Sequence, residues 1–235
     1  MDKLVDRADA WQGVAHCESC NIRNSVLFSG LEEKDFEQIH TPIIQNVFEP
    51  GDMLYREGES AKYIYTIRSG LVKLVHYLPD GGQRIVRLVK STDVTGLEAL
   101  LGNTYGHDAV VLQRTEICRL PIETVNDLAR HNATLHAELL QRWQTALEQA
   151  DLWLAKLATG SARQRVAQLL LWLNDNFTKD QCCMISREDM GAMLGITTET
   201  ASRTVAGFKR NGLIVQRGHK EFACDVNALK SILDE

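Results

Sequence analysis

Glu199, Ser202 and Arg203 stand at i, i+3 and i+4, which puts their side chains on one face near the start of a helix. Those three types can read base edges in a major groove. Glutamate accepts from cytosine N4, arginine donates to guanine O6 and N7, and serine meets either partner. Lys209 and Arg210 at the far end of the same helix, Arg187 ahead of it, and Arg217 and Lys220 beyond it are placed to meet phosphate. An ordinary exposed helix with a Glu/Arg pair has the same spacing. The segment in front, Arg187 to Gly195, separates the two readings, because it has the pattern of a first helix ending in a glycine turn.

The elements that must hold this face lie on either side of it. Ser186 is placed to cap the first helix, with Glu188 and Asp189 at its positive end. Thr197 or Thr198 caps the second, which ends near Asn211-Gly212. Leu213-Ile214-Val215 and the stretch Lys220 to Cys224 read as short strands around Arg217-Gly218-His219, a wing. Upstream, Arg163 to Asn174 is amphipathic, with Val166, Leu169, Leu170 and Leu173 on one face, and Cys182 to Ile185 reads as a strand. Charge is unevenly spread. Residues 161–220 carry +4 and residues 221–235 carry −3, within a net charge of −5. A basic module on an acidic body fits local attraction to phosphate.

Two other textures precede this module. Strand-like runs at 63–67, 71–77, 84–89, 109–113 and 116–120 are punctuated by glycine-bearing turns at Gly51, Gly58, Ser69-Gly70 and Asp80-Gly81-Gly82. Short β-rich runs at that spacing predict a small roll or barrel. A helix uninterrupted by Gly or Pro follows from about Asn132 to Ala158, and Gly160-Ser161 breaks it. Leu139, Trp143, Ala146, Ala150, Trp153 and Leu157 alternate steps of four and three, the seam of a coiled coil, and predict a homodimer interface. Leu140, Leu147 and Leu154 form a second stripe beside it. One stripe can pack on the roll while the other meets a partner helix. The fold class is therefore α+β: a leader over 1–26, a β-roll over 27–130, a dimerisation helix over 131–159 and a winged helix-turn-helix over 160–235.

Composition closes off other classes. The chain has 235 residues with 44% apolar content, enough for a normal core. Its start lacks the basic patch and apolar stretch of a signal peptide, and its longest apolar runs, such as Leu169 to Leu173, are too short to cross a bilayer. The expectation is a cytoplasmic protein with no membrane partner. Six cysteines in that setting suggest thiols or metal ligands rather than a disulfide framework. No Gly-x-Ser-x-Gly, phosphate-binding glycine loop or His-Glu-x-x-His is present, which argues against an enzyme.

The run from Ile185 to Arg203 resembles the helix-turn-helix of the CRP/FNR superfamily of bacterial transcription regulators. Pro50 to Glu59 and Tyr65 to Gly70 resemble the turns of that family's cyclic-nucleotide-binding-type roll. The likeness spans about residues 17–230 and keeps the order roll, long helix, winged helix. The form Glu199-x-x-Ser202-Arg203 resembles the FNR branch, and so implies palindromic sites with TTGAT-like half-sites. In the CRP branch the positions of Thr198 and Ser202 are typically Arg and Gly. The resemblance also implies a dimer on double-stranded DNA, contact of roll loops such as Asp80-Gly81-Gly82 with RNA polymerase, and an activator's role.

For the signal, the resemblance points two ways. A cyclic-nucleotide pocket in the family uses a Gly-Glu pair for the ribose and an Arg-Ser pair for the phosphate. Here Leu97 replaces the Glu, His107 the Arg and Asp108 the Ser. A carboxylate facing a phosphate repels it, which argues against cyclic AMP. The FNR branch instead senses oxygen through an iron–sulfur cluster. Cys17-x-x-Cys20, preceded by His16, resembles the first two ligands and Cys118 the central one, while Val26 stands where a third N-terminal cysteine is expected. A fourth ligand would come from His16, Glu18 or a small molecule. The readings that stay open are such a nonstandard cluster, a thiol/disulfide switch at Cys17 and Cys20, haem or a cyclic-nucleotide-like effector in the roll, the latter in a pocket rebuilt around Glu98, His107 and Asp108, and inert thiols. The first two correspond to responses to oxygen, redox state or nitric oxide. Cys182, Cys183 and Cys224 are expected as buried small side chains in strands of the DNA-binding module.

Overall fold

The computed structural model describes residues 43–176, 185–217 and 222–234. They fall into two compact units, one of residues 43–76 with 88–147 and the other of 77–87 with 148 onward. No helix among the described residues is long and apolar enough to cross a membrane.

The first unit contains β1 (Ile44–Phe48), β2 (Met53–Tyr55), β3 (Tyr63–Tyr77) as far as His76, β4 (Gln83–Lys90) from Leu88 on, β5 (Val94–Thr95) and β6 (Asp108–Pro121). The sheet runs β1-β6-β3-β4, with β2 also on β6 and β5 also on β3. β3 and β6 are each longer than the strands the sequence predicts. Ser69-Gly70, expected as a turn, lies inside β3, where the register against β6 shifts on both sides of Ser69. Gly70 has φ 95°, so the glycine forms a bulge that bends a continuing strand. Strand β6 likewise runs unbroken through Arg114 and Thr115.

The roll's interior is aromatic as well as aliphatic. Tyr55, Tyr65 and Tyr105 are buried, with Tyr55 stacked on Tyr105 at 3.9 Å between ring centroids. The Tyr55 hydroxyl pairs with Thr95 Oγ1, and the Tyr105 hydroxyl donates to the Tyr63 carbonyl at 2.9 Å. Burial pushes the Tyr65 and Tyr105 phenols above the usual tyrosine range, so both stay neutral and act as shaped hydrophobes with a satisfied polar tip.

Helices α1 (Ile122–His131) and α2 (Ala133–Lys156) follow β6. The predicted seam divides along α2. Leu139 is buried in the roll core, and Trp153 and Leu157 are buried in the second unit, with Trp153 edge-on to Trp172. Those three are therefore committed to packing within the chain and leave no surface for a partner. Ala146 and Ala150 are half-buried and Trp143 is 39% exposed. The stripe that faces outward is the second one, Leu140, Leu147 and Leu154, which are 59%, 58% and 68% exposed. Both stripes satisfy a seven-residue repeat, so spacing alone could not say which one the chain itself would cover.

In the second unit, α3 (Ala162–Asn176) buries Val166, Leu169, Leu170 and Leu173 as the pattern predicts. It packs against α4 (Arg187–Leu194), α5 (Thr198–Arg210) and α6 (Val226–Leu233). β7 (Ile214–Gln216) and β8 (Phe222–Cys224) form a two-stranded ribbon. The long helix ends at Lys156, slightly before the predicted end near Ala158, and Gly160 follows with φ 81°. The predicted strand Cys182 to Ile185 falls, except for Ile185, outside the described residues.

Candidate nucleic-acid interface

Local chemistry explains why α4 and α5 form and why they meet at a fixed angle. Ser186 Oγ accepts from the Asp189 amide at 2.9 Å and donates to the Asp189 carboxylate at 2.6 Å, which caps α4. α4 ends at Gly195, whose φ of 64° is left-handed and whose amide donates to the Gly191 carbonyl. Gly191 is required for a different reason. A Cβ there would lie 2.7 Å from the Ile196 carbonyl oxygen, so only glycine lets the chain fold back so closely. Thr197, one of the two predicted caps, accepts from the Thr200 amide at 3.1 Å and starts α5.

Ala201, Val205 and Phe208 are buried along the inner face of α5. Thr198, Glu199, Ser202, Arg203, Lys209 and Arg210 are exposed on the remainder. Arg203 Nη2 stands 3.8 Å from Glu199 Oε1, with both side chains more than 70% exposed. Such a pair is worth at most a few tenths of a kcal/mol, so it aligns the two groups without holding them back from another partner.

One positioning residue carried no signal in the sequence. Arg165 of α3 reaches across and donates to the Leu194 carbonyl at 2.6 Å, satisfying the last turn of α4 next to the glycine turn. Nothing in an amphipathic helix marks which arginine will do this.

Two expected phosphate contacts are otherwise engaged in the free protein. Arg187 is half-buried, with Nη1 at 3.6 Å from the Met190 sulfur, and burial lowers its pKa. Lys209 Nζ donates to Gln216 Oε1 at 3.0 Å and stands 4.8 Å over the Phe222 ring, so its ammonium fastens α5 to both β7 and β8. Arg210 and Arg217 are exposed, and Lys220 lies outside the described residues. If Lys209 acts through the wing, Lys209→Gln weakens DNA binding a few-fold while leaving the salt dependence of affinity nearly unchanged. Removal of a direct phosphate contact would instead lower the slope of log K against log salt by about one. Titrations across a series of salt concentrations distinguish the two.

On the sensor side, Cys118 sits in β6 opposite Gln45 of β1 and Thr66 of β3, half-buried against the roll core. Cys17 and Cys20, with His16, Glu18 and Val26, lie outside the described residues. Among the described residues no three His, Cys, Asp or Glu side chains gather into a metal-holding group. Cys118 alone does not amount to a cluster site, which needs about four ligands. Of the three positions tied to nucleotide binding, Leu97 is buried in the roll core and His107 is half-buried. Asp108 is buried and accepts from the Glu57 amide at 2.7 Å.

Comparison with known proteins agrees with this layout. Residues 45–132 match the cyclic nucleotide-binding domain and residues 164–232 the Crp-like helix-turn-helix domain. Over 223 residues the chain is 23% identical to the fumarate and nitrate reduction regulatory protein of Salmonella typhi, covering 92% of this chain and 89% of that one. A CRP-family transcriptional regulator from Thermus thermophilus superposes with a TM-score of 0.70 at 25% identity, over 81% of this chain and 97% of that one. FixK2 from Bradyrhizobium japonicum superposes with a TM-score of 0.72 at 23% identity, with the same coverage. A nucleotide-binding-type roll followed by a long helix and a Crp-like helix-turn-helix places this chain in the CRP/FNR superfamily of bacterial transcription regulators.

Proposed function

We propose that this regulator binds palindromic TTGAT-like sites as a homodimer, one α5 per half-site, and acts chiefly as an activator that contacts RNA polymerase through roll loops. One observation carries the DNA reading. Glu199, Ser202 and Arg203 are exposed together on the face of α5 opposite its buried side, behind a turn fixed by Gly191 and Gly195. Three exposed base-reading types on that face support its reading as a recognition helix. Electrophoretic mobility shift on a TTGAT…ATCAA duplex tests it. Equal affinity for that duplex and a scrambled one would sink the assignment.

The dimer reading rests on the outward stripe of α2. Three leucines spaced by seven, each more than half exposed, with Trp143 beside them, suit a parallel two-helix seam. The seam is thus Leu140, Trp143, Leu147, Ala150 and Leu154 rather than the stripe ending in Trp153 and Leu157. Leu147→Glu puts two carboxylates into that seam. The variant should sediment as a monomer at micromolar concentration and no longer hold the palindrome. An unchanged dimer in the ultracentrifuge refutes the assignment.

The signal is assigned to the thiols. Cys17-x-x-Cys20 and Cys118 supply three thiolates, and an iron–sulfur cluster held by them would respond to oxygen, redox state or nitric oxide. The buried Leu97 and the Asp108 carboxylate support the argument against a cyclic nucleotide. Anaerobic purification followed by iron and sulfide analysis is the test. Colourless, iron-free protein that still binds DNA disposes of the cluster.

A further inference from the structure

The second unit includes a piece of hairpin as well as the DNA-reading helices. β3 and β4 run past the first unit, and the tip they form, residues 77–87, belongs to the second. Its own hydrogen bonds close the tip. The Leu78 amide donates to the Gly82 carbonyl at 2.8 Å, the Gly81 amide to the Leu78 carbonyl at 2.9 Å, and the Gly82 amide to the Asp80 carboxylate at 2.9 Å. Arg84 is half-buried on the β4 side of this tip, and Ile85 next to it is buried without being part of the roll core.

The Arg84 guanidinium fills the space where a side chain on Gly195 would stand. A Cβ there would lie 2.6 Å from Nη1, 2.8 Å from Nη2 and 3.1 Å from Cζ. Both nitrogens are nearer than the carbon, so the fork points end-on at the glycine. Gly195 thus meets two demands, a left-handed φ of 64° and room for this arginine. On the same turn, Arg165 Nη1 donates to the Leu194 carbonyl at 2.6 Å. Two guanidiniums from elements far apart in the sequence therefore meet the carboxyl end of α4, where the helix carbonyls carry partial negative charge.

We propose that Arg84 is a positioning residue for DNA reading: supplied by the β3–β4 tip, it braces the turn that sets α5 against α4. Residues 195–197 lead directly into the end of α5 that carries Glu199, Ser202 and Arg203. Hydrogen bonds to base edges are directional, whereas attraction to phosphate is not. A loosened turn therefore costs base reading more than it costs general attraction to DNA. The brace does not act as a mask, because Glu199 and Arg203 are more than 70% exposed with Arg84 in place.

Hydrogen–deuterium exchange on the free, full-length protein tests the brace without DNA. The Gly195 and Ile196 amides both donate to the Gly191 carbonyl, at 2.9 and 3.2 Å, and so report whether the turn stays closed. In Arg84→Ala the segment 191–198 should exchange roughly tenfold faster, while α3 exchanges as in the wild type. On DNA, affinity for a TTGAT…ATCAA duplex should fall about tenfold, with affinity for a scrambled duplex and the salt dependence unchanged. This second arm rests on the half-site proposed above. A wild-type protein that treats the two duplexes alike refutes the half-site, and exchange alone then decides on Arg84. Circular dichroism reports folding, and Arg84→Gln replaces the alanine variant if that one does not fold. Turn exchange at the wild-type rate in a folded variant overturns the proposal. So does full retention of discrimination between the duplexes, or an equal loss on both with a lowered salt slope, the mark of a direct phosphate contact.

Discussion

Replacing Arg203 by alanine is expected to weaken binding to a TTGAT…ATCAA duplex by about 1–3 kcal/mol for each base interaction removed. A dimer on a palindrome forfeits that interaction at both half-sites. The combined effect is then about 2–6 kcal/mol, roughly thirtyfold to about 20,000-fold in Kd. The structure gives little reason to expect folding to suffer. The Arg203 side chain is 72% exposed, and it pairs with the equally exposed Glu199. Discrimination between the palindrome and duplexes altered at one base pair should fall as well, because a group that reads a base rather than a phosphate has gone. Fluorescence anisotropy with matched and single-substitution duplexes measures both. An Arg203→Ala protein with wild-type affinity and discrimination would falsify the readout.

Gly70→Ala should be the most damaging single methyl addition to the roll. The new Cβ would lie 2.4 Å from Thr115 Oγ1, 2.5 Å from the Arg114 carbonyl oxygen and 2.7 Å from the Thr115 Cα. Two of those three atoms belong to the backbone of the neighbouring strand and cannot swing aside. Thr115 is itself fully buried, and its hydroxyl donates to the Gln113 carbonyl at 2.7 Å and accepts from the Leu71 amide at 3.2 Å. Overpacking of this kind costs about 1–3 kcal/mol, and forcing a side chain into left-handed φ adds about 1–2 kcal/mol. The roll's melting temperature should drop by on the order of 10 °C. Gly81→Ala is the control. That position also has positive φ, but nothing lies within 4 Å of the added carbon, so only the smaller conformational cost remains. Equal melting temperatures for the two variants would show that the bulge relaxes freely.

The contrast between these two glycines shows where the sequence is readable. Both read as turn residues, and both do need positive φ, but Gly81 turns the chain while Gly70 bulges it against a partner strand. Which one occurs depends on how the neighbouring strand pairs, and local sequence does not contain that. The DNA-reading unit is legible because its signals are local. Ser186, Thr197 and Gly195 cap their own helices, and Ala201, Val205 and Phe208 mark the buried face within one helix. Helix α1, helix α6 and strands β1 and β2 carry weaker signals. They are short and stand on contacts distant in the chain, such as those of β1 with β6. The same limit explains the seam. Periodicity marks two stripes on α2, and only tertiary packing decides that Leu139, Trp153 and Leu157 turn inward.

The outward leucines have a consequence for how this protein is handled and regulated. If Leu140, Leu147 and Leu154 are covered only by a second copy, the dimer is a ligand of its own fold. Apparent stability then depends on how much protein is present, and a tenfold dilution removes about 1.4 kcal/mol from the assembled state. Any change in abundance would therefore alter the fraction of paired helices as well as the number of molecules. Expression level would become an input to the regulator in its own right, acting through mass action before any chemical signal reaches the roll.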